Sequence, residues 1–312
     1  MNFPFYIARR YLFSKSSSNA INIITVIAAL GVFAGAFALF IVLSGFTGLK
    51  DFSLSFSNKY DPDLKVIPET GKYFIFSSEE KEGLQNISGL EEFSEVIEER
   101  VFLDFKSKNK TAFLKGVDEN YLQVNRLDST LVRGAWFNAG EAQVVIGNTI
   151  SRELSLGTFD YMNLLEILVP RPGTGQITNP SQAFNSDNAV VSGIYSINEE
   201  LDGKYLFSSI SYARNLLELE PNEISALDLR LARGADVETV KQNLRSVLDQ
   251  PVEIKNRAQL NDALYKMLNT ENLAVYLIFT LVLIIALFNV VGSIIMVILD
   301  KRDNIKTLHS LG

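Results

Sequence analysis

The sequence predicts an α+β membrane protein in which two transmembrane helices flank a large external α+β domain. Two apolar runs near the ends of the chain carry no charge, Ile23–Leu43 with 21 residues and Leu273–Leu299 with 27. An α-helix rises about 1.5 Å per residue, so each run is long enough to cross a hydrocarbon core of about 30 Å. Between the runs, short β-rich segments alternate with polar helical segments, a pattern typical of an α+β domain.

The charges next to the two runs predict how the helices cross the membrane. Basic residues lie at the outer end of each run: Arg9, Arg10 and Lys15 before the first, and Lys301, Arg302 and Lys306 after the second. The positive-inside rule therefore places both termini in the cytoplasm and residues 46–271 outside. The first run is a retained anchor, because it is longer than the core of a signal peptide and no cleavage site follows it.

The N-terminal elements follow in order. We expect residues 1–20, which mix aromatic side chains with arginines, to form a cytoplasmic helix on the inner membrane surface. The first transmembrane helix takes residues 21–45. Within it, Gly31 and Gly35 form a small-xxx-small face that lets another helix approach closely. An apolar stripe extends the helix as a stalk to about residue 58, through Phe46, Leu49, Phe52 and Phe56.

The external α+β domain is predicted over residues 46–256, with two subdomains. The predicted strands are Leu64–Ile67, Tyr73–Phe76, Val101–Phe105, Thr111–Val117, Ala142–Ile146, Leu165–Val169, Val190–Tyr195 and Ala226–Leu231. The predicted helices are Ser77–Gln85, Asn148–Ser155, Ser209–Leu219 and Asp236–Asp249. The loop Pro170–Asn188 is rich in Pro, Gly, Asn and Ser and unusually long, so we expect it to have a function.

A second helix is predicted to lead from the domain into the membrane. Residues 257–272 form a predicted stalk, with an apolar stripe made of Leu260, Ala263, Leu264, Met267 and Leu268. The second transmembrane helix follows at residues 273–299. Because no Gly or Pro lies between Pro251 and Gly292, about 40 residues are expected to form one helix about 60 Å long. Such a rod can transmit motion, and the polar Asn289 within it is expected to contact a neighbouring helix.

Nothing in the sequence indicates a catalytic centre, a metal or a cofactor on this chain. A G-x-x-x-x-G-K-[ST] phosphate loop is absent, there is no cysteine, and the single histidine, His309, lies at the expected cytoplasmic end. Adjacent acidic pairs such as Glu79-Glu80 and Glu98-Glu99 are expected on the solvated surface, and Trp136 in the core. Residues 21–299 carry 23 basic and 34 acidic residues, and this net charge of −11 argues against nucleic acid as a partner.

Several segments, in the correct order along the chain, resemble one family. The C-terminal segments Phe288–Arg302 and Asn304–Gly312 resemble the signature F-N-(I/V)-x-S-x-(I/L)-x-M-x-x-x-(D/E)-(K/R)-(R/K)-x-x-I-x-x-L-x-x-(L/M)-G. This signature is that of lipoprotein-releasing ABC-transporter permeases of the LolC/LolE type, within the MacB/FtsX-like superfamily. Other segments resemble the family's approach to its first span and its external strand–helix unit: Ile7–Leu12, Ser18–Ile24, Gly140–Gly147 and Leu154–Gly157.

The resemblance implies a MacB-like periplasmic core domain and a place in the inner (cytoplasmic) membrane. It also implies a permease subunit, not an enzyme, which releases lipoproteins toward a periplasmic carrier. The implied partners are an ATP-binding subunit dimer, a second permease (identical or paralogous), lipidated proteins, the soluble carrier and membrane lipids. Family members have two further spans, whereas this sequence stops at Gly312 at the start of the first cytoplasmic loop, so we expect a fragment or a truncated product.

Three sets of functional residues follow from the resemblance. A coupling helix beginning at residues 300–312 is expected to dock on the ATPase through Lys301, Arg302, Ile305, Lys306, Leu308 and Leu311. Lipoproteins are expected to pass between the two spans along Phe40, Leu43, Phe46, Leu49, Tyr276 and Phe279. In one permease type a hook-like loop recruits the carrier, and the candidate contacts here are Arg171, Pro172 and Ile177.

Other functions fit the same sequence. A MacB-like permease that drives efflux by mechanotransmission and an FtsX-like regulator of cell-wall hydrolases belong to the same superfamily. A two-span sensor fits the topology alone. The sensor predicts a long helical signalling segment after the second span, whereas a permease predicts two further spans.

Overall fold

In this computed structural model, the structure describes residues 5–6, 10, 19–171 and 183–310. Contacts divide the chain into two compact units. The helical unit consists of Met1–Phe52 and Ala263–Gly312, and the α+β unit consists of Ser53–Asp262. The helix predicted over residues 1–20 lies almost wholly outside the described residues.

The helices are α1 (Asn19–Tyr60), α2 (Ser78–Gln85), α3 (Tyr121–Asn125), α4 (Asn148–Leu154), α5 (Glu199–Lys204), α6 (Ile210–Leu217), α7 (Val237–Val247), α8 (Arg257–Leu260), α9 (Asp262–Asp300) and α10 (Arg302–Ser310). The strands are β1 (Leu64–Pro68), β2 (Phe74–Ile75), β3 (Leu90–Phe105), β4 (Lys108–Val117), β5 (Leu131–Gly134), β6 (Gln143–Gly147), β7 (Leu165–Pro170), β8 (Phe184–Tyr195), β9 (Tyr205–Ser209), β10 (Glu223–Ile224), β11 (Ala226–Leu231) and β12 (Val252–Asn256).

The two long helices expose their apolar side chains. Two segments are long and apolar enough to cross a membrane, judged by length and composition: Val26–Lys50 in α1 and Asp262–Asp300, the whole of α9. None of the most apolar stretch of either helix is buried inside the protein. Exposed apolar surface of this extent is unfavourable in water and favourable in hydrocarbon, so both helices are suited to a bilayer.

The sheet of the α+β unit closes on itself. Among the described residues ten strands pair in the order β12-β1-β11-β3-β4-β9-β6-β8-β5, with β7 pairing with both β3 and β8. Six of these strands therefore form a closed ring, in which each strand is hydrogen-bonded to the ring strand on either side: β3, β4, β9, β6, β8 and β7. The pairs β4–β9 and β6–β8 are parallel, and the other neighbours in the ring are antiparallel.

Two apolar cores occupy the two lobes of this sheet. The first fills the ring and receives one or more buried side chains from each of its six strands, including Leu103, Leu114, Ile146, Ile167, Val191 and Leu206. The second lies among β1, β11, β12, α2 and α7 and includes Leu64, Leu84, Leu229, Leu244 and Ile254. The long strand β3 contributes Val101 to the first core and Phe93 to the second, so the two lobes share one strand.

A close backbone approach explains the glycine at the end of β6. A Cβ atom on Gly147 would lie 2.1 Å from the carbonyl oxygen of Asp202 in α5, which is backbone and cannot rotate away. Only glycine fits there without moving α5. The segment Gly140–Gly147, which resembles a family motif, thus ends at a position with a steric requirement.

The predicted elements are largely confirmed, with two kinds of error. Each strand and helix predicted between residues 64 and 249 overlaps an observed one. The predicted continuous helix of about 40 residues is confirmed, since α9 runs unbroken for 39 residues from Asp262 to Asp300. Its start is shifted, because Leu260 ends the short helix α8 and Asn261 leaves the helical conformation at φ −109°.

The predicted exposure of the acidic pairs is wrong for Glu80 and holds only in part for Glu98 and Glu99, whose side chains are 23% and 13% exposed. Glu80 is buried because it closes a capping box, in which its carboxylate accepts a hydrogen bond from the Ser77 N–H at 2.7 Å. Glu98 lies against two lysines in the interior of the sheet. The core position predicted for Trp136 is confirmed, since its ring packs 5.4 Å from that of Phe207.

Candidate functional site

The helical unit packs α1 against α9 through the two predicted glycines. A Cβ atom on Gly31 would lie 4.0 Å from Asn289 Nδ2, and one on Gly35 would lie 3.5 Å from Val282 Cγ1. Both glycines therefore face α9, where a larger side chain would push the helices apart. Asn289 makes no hydrogen bond to any residue that the structure describes, so its amide packs on α1 by van der Waals contact alone.

The helices are antiparallel at this contact, so residues of the predicted lipoprotein path on α1 can lie opposite residues of the path on α9. Phe40 lies five residues after Gly35, and Phe279 lies three residues before Val282, so the two rings are at a similar depth. All six predicted path residues are exposed: Phe40, Leu43, Phe46, Leu49, Tyr276 and Phe279. A cleft of about 480 Å³ lies between the helices on the other side of the glycine contact, lined by Ala28, Ala29, Val32, Phe33, Val290, Ser293 and Ile294.

In the α+β unit, a polar clamp joins the two places where the chain meets the long helices. Asn261 Nδ2 donates a hydrogen bond to Asp61 Oδ2 at 2.7 Å, and Arg257 Nε donates to the Asp61 carbonyl at 3.1 Å. Arg257 also forms an ion pair with Asp63 at 3.0 Å. Because Asp61 directly follows α1 and Asn261 directly precedes α9, the clamp ties the end of one helix to the start of the other.

The last residue of α1 lies on a buried ionic cluster. The Lys115 ammonium lies 4.5 Å from the centre of the Tyr60 ring and 4.8 Å from that of Tyr205, in cation–π contact with both. The same ammonium lies 3.6 Å from Glu98 Oε2, which also forms an ion pair with Lys65 at 3.2 Å. The α1 helix thus ends on a charged group near the C-terminal end of β4.

The cluster holds Glu98 ionised. Burial by itself raises the pKa of the Glu98 carboxyl, but the ammonium groups of Lys115 and Lys65 outweigh this effect and lower the pKa to about 2. Only 4% of the Lys115 side chain is exposed, against 23% of the Glu98 side chain, so the lysine is the member shielded from solvent. Breaking such a pair leaves an uncompensated charge, which makes the cluster a rigid attachment for the end of α1.

The predicted carrier-contact loop begins at the hairpin of β7 and β8. Arg171 lies at the end of β7, donates a hydrogen bond to Asn185 and lies 4.0 Å from Glu218. Its side chain is half exposed. Pro172 and Ile177 lie outside the described residues, so the structure places one of the three predicted contacts.

The predicted coupling residues lie at the C-terminal end of the helical unit. Lys301 follows α9 and pairs with Asp300 at 3.1 Å, while Arg302 and Lys306 are exposed on α10. Ile305 and Leu308 fall within α10, but their side chains, and the whole of Leu311, lie outside the described structure. His309 is exposed, as expected.

Sequence reasoning missed the clamp and the ionic cluster. Lys115 did leave a signal in the sequence, because it places a charged residue in the predicted strand Thr111–Val117, whose second half is buried. The partners of the clamp are about 200 residues apart in sequence, and no local pattern links them. These contacts depend on the fold of the whole unit.

Together these features define a membrane protein: a closed-sheet α+β domain whose first and last elements continue into two apolar helices. Residues 25–247 match the family described as the MacB-like periplasmic core domain. Since the match covers more than half of the chain, the protein belongs to this family.

The chain is also similar to several transmembrane proteins and to a solved structure. The chain is 22% identical over 323 residues to the lipoprotein-releasing system transmembrane protein LolE of Haemophilus influenzae, covering 100% of this chain and 75% of that protein. It is 24% identical to LolC of the same organism, covering 100% and 76%, and 22% identical to LolC of Buchnera aphidicola, covering 98% and 74%. A crystal structure of the periplasmic region of MacB from Actinobacillus actinomycetemcomitans aligns with a TM-score of 0.47 at 14% identity, covering 65% of this chain and 92% of that one.

Proposed function

We propose that the protein is a permease subunit of an ABC transporter that releases lipoproteins from the inner membrane toward a periplasmic carrier. The observation that carries this proposal is the similarity to lipoprotein-releasing transmembrane proteins over the full length of the chain, which takes in both membrane helices and the α+β unit. In this role the chain hydrolyses no ATP itself, and a separate ATP-binding subunit supplies the energy.

The orientation follows from the charges. The basic residues at both ends stay in the cytoplasm, α10 begins the surface that docks on the ATP-binding subunit, and the α+β unit lies in the periplasm. The exposed apolar residues of α1 and α9 offer the acyl chains of a lipoprotein a surface that needs no directional contacts, at about 0.8 kcal/mol per buried methylene.

The helix pair also supports a second permease. Asn289 has no hydrogen-bond partner in the described part of this chain, and an amide without a hydrogen bond is unfavourable in hydrocarbon. A helix from a second permease, identical or paralogous, supplies that partner. The hairpin of β7 and β8 is the candidate surface for the soluble carrier, beginning at Arg171.

The experiment is depletion of the protein in its own organism, followed by separation of the inner and outer membranes. We expect lipoproteins destined for the outer membrane to accumulate in the inner membrane, and re-expression of the protein to restore their distribution. Integral outer-membrane proteins serve as the control and should not move. An unchanged lipoprotein distribution after depletion contradicts the proposal.

A second candidate, an efflux permease, is favoured by the match to the MacB-like domain family. It predicts a different outcome of the same depletion. Sensitivity to exported compounds would rise while lipoproteins kept their normal distribution.

A further inference from the structure

A polar cleft in the α+β unit contains more positive charge than its own acids neutralise. The cleft has a volume of about 580 Å³, and its lining includes four arginines and two carboxylates: Arg126, Arg230, Arg233, Arg257, Asp63 and Glu91. Its formal charge is therefore +2. This is unusual for a chain whose residues 21–299 carry a net charge of −11.

Both carboxylates are already engaged. Glu91 Oε2 lies 3.3 Å from Arg230 Nε, and Asp63 Oδ1 lies 3.0 Å from Arg257 Nη2. Asp63 also accepts a hydrogen bond from the backbone N–H of Leu231 at 2.9 Å. These two acids therefore balance two of the four arginines and hold them in place.

The other two arginines have no anionic partner. Arg126 and Arg233 are exposed, and neither side chain forms an ion pair or a hydrogen bond with any residue that the structure describes. Arg126 has φ +48°, in the left-handed region that is costly for a residue other than glycine or asparagine. This conformation closes the C-terminus of α3, where the Arg126 N–H donates to the Leu122 carbonyl, and it fixes the backbone of Arg126 at the cleft.

The charge and size of the cleft indicate the chemistry of its ligand. Arginine binds phosphate through paired N–H donors whose planar geometry matches the phosphate oxygens. A phosphate monoester carries between about −1.5 and −2 charges at neutral pH, which balances the excess of +2. The volume lies within the range of about 300–1,000 Å³ that is usual for small-molecule sites.

We propose that this cleft binds a phosphate group. Arg126 and Arg233, which have no anionic partner, donate hydrogen bonds to it, and Arg230 and Arg257, which their ion pairs hold in place, line the rest of the site. The phosphate belongs either to the headgroup of an anionic phospholipid or to a soluble phosphate compound. The site is separate from the apolar lipoprotein path and from the carrier-contact hairpin.

The experiment measures binding to the full chain held in amphipol, with two probes. Sodium pyrophosphate represents a soluble phosphate, and short-chain phosphatidic acid below its micelle concentration represents a lipid headgroup. Short-chain phosphatidylcholine controls for the acyl chains. The variant Arg126→Ala/Arg233→Ala is compared with Arg133→Ala/Arg245→Ala, a matched pair of exposed arginines outside the cleft.

We expect the cleft variant to bind its probe about tenfold more weakly or worse, since each lost charged hydrogen bond is worth about one decade of affinity. The matched variant should bind like the wild type. Binding of phosphatidic acid alone identifies a lipid headgroup, and binding of pyrophosphate alone identifies a soluble ligand. The proposal is overturned if neither probe binds, if both variants lose affinity equally, or if phosphatidylcholine binds as well as phosphatidic acid.

Discussion

At the scale of single residues, the most consequential side chain in the α+β unit is a buried lysine. Lys115 connects the end of α1, through the ring of Tyr60, with Glu98 on the neighbouring strand β3. Buried ion pairs add little stability over well-packed apolar residues, yet losing one partner is expensive. The pair therefore fixes where α1 ends more than it strengthens the core.

The first prediction concerns this pair. Lys115→Met leaves the half-buried Glu98 with Lys65 as its remaining ionic partner, so we expect the free energy of unfolding to fall by about 2 kcal/mol. The double variant Lys115→Met/Glu98→Gln removes both charges and should lose less than the sum of the single changes. The single tryptophan, Trp136, packs on Phe207 in the core next to the pair, so its fluorescence during urea unfolding reports the transition.

An ion pair whose lysine is exposed provides the control for that measurement. Lys72 lies 2.7 Å from Glu99, but its side chain is 70% exposed, and Lys72→Met should cost no more than about 1 kcal/mol. Equal losses for Lys115→Met and Lys72→Met, or strict additivity in the double variant, would contradict the role given to Lys115.

The second prediction concerns Asp118, whose pKa is raised, whereas the pKa of Glu98 is lowered. Burial raises the pKa of Asp118 to about 6, although its carboxylate accepts hydrogen bonds from Ser94 Oγ at 2.6 Å and from the Glu95 N–H at 2.8 Å. A raised pKa contributes stability that is complete below the unfolded value of 3.8 and is lost as the pH rises through about 6. Asp118→Asn removes this contribution, so the stability of the variant relative to wild type should be lowest near pH 4 and highest near pH 7.

Urea unfolding of both proteins across this pH range checks the prediction. Asp236→Asn serves as a comparison of opposite sign, because the hydrogen bond from the Thr239 side chain lowers the pKa of Asp236. Relative to wild type, that variant should lose stability as the pH rises towards about 4 from below, and should change little between about pH 5 and 7. A difference for Asp118→Asn that does not change with pH would refute the assigned shift.

At the scale of elements, alternation and caps predicted most of the α+β unit. The helix α2 was predictable because Ser77 and Glu80 form a capping box, and β7 because its side chains alternate between buried and half-buried. The strand β9 was missed because Ser208 and Ser209 limit its apolar run to three residues, although all five of its residues are buried. The position of Glu98 was missed because its lysine partners come from β1 and β4, which the sequence does not place next to it.

The third prediction concerns the contact between α1 and α9. Gly35→Leu places a large side chain where a Cβ atom already lies 3.5 Å from Val282, so the helices must separate. The chain has no cysteine, so Ala28→Cys and Ser293→Cys, both on the cleft between the helices, form a clean pair for a short thiol crosslinker. We expect the crosslinking yield to fall by about threefold or more in the Gly35→Leu background.

Gly45→Leu is the matched control, because a Cβ atom on Gly45 would meet nothing within 4 Å. Its crosslinking yield should equal that of the parent. If both leucines lower the yield equally, the effect belongs to the bulk of leucine and not to the contact with α9.

At the scale of the whole molecule, the membrane helices and the family were predictable from the sequence, whereas the connections between helix and domain were not. Apolar length and flanking charge are local properties, and they located both spans. The clamp between Asp61 and Asn261 depends on bringing together two ends of a long chain. The same clamp lies where α9 begins, since Asn261 is outside the helical conformation at the point where it reaches across to Asp61.

The fourth prediction tests α9 as the element that transmits motion, and the start of this helix decides where a proline must be placed. Leu264 is the third residue of α9, where backbone N–H groups have no partner within the helix, so Leu264→Pro should be tolerated. Asn269 lies further along and is exposed, so Asn269→Pro breaks a helical hydrogen bond without removing a core contact, at a cost of about 3 kcal/mol or more.

In the assembled transporter that we propose, Asn269→Pro should lower ATP-driven lipoprotein release while the ATP-binding subunit still docks and hydrolyses ATP. Asn269→Ala and Leu264→Pro are the controls and should release lipoproteins at close to the normal rate. Release into a soluble carrier and phosphate production are measured on the same membranes, so a loss of coupling is distinguished from a loss of assembly. Normal release by Asn269→Pro would mean that an unbroken α9 is not needed for transmission, because the change interrupts the helix between the α+β unit and the membrane segment.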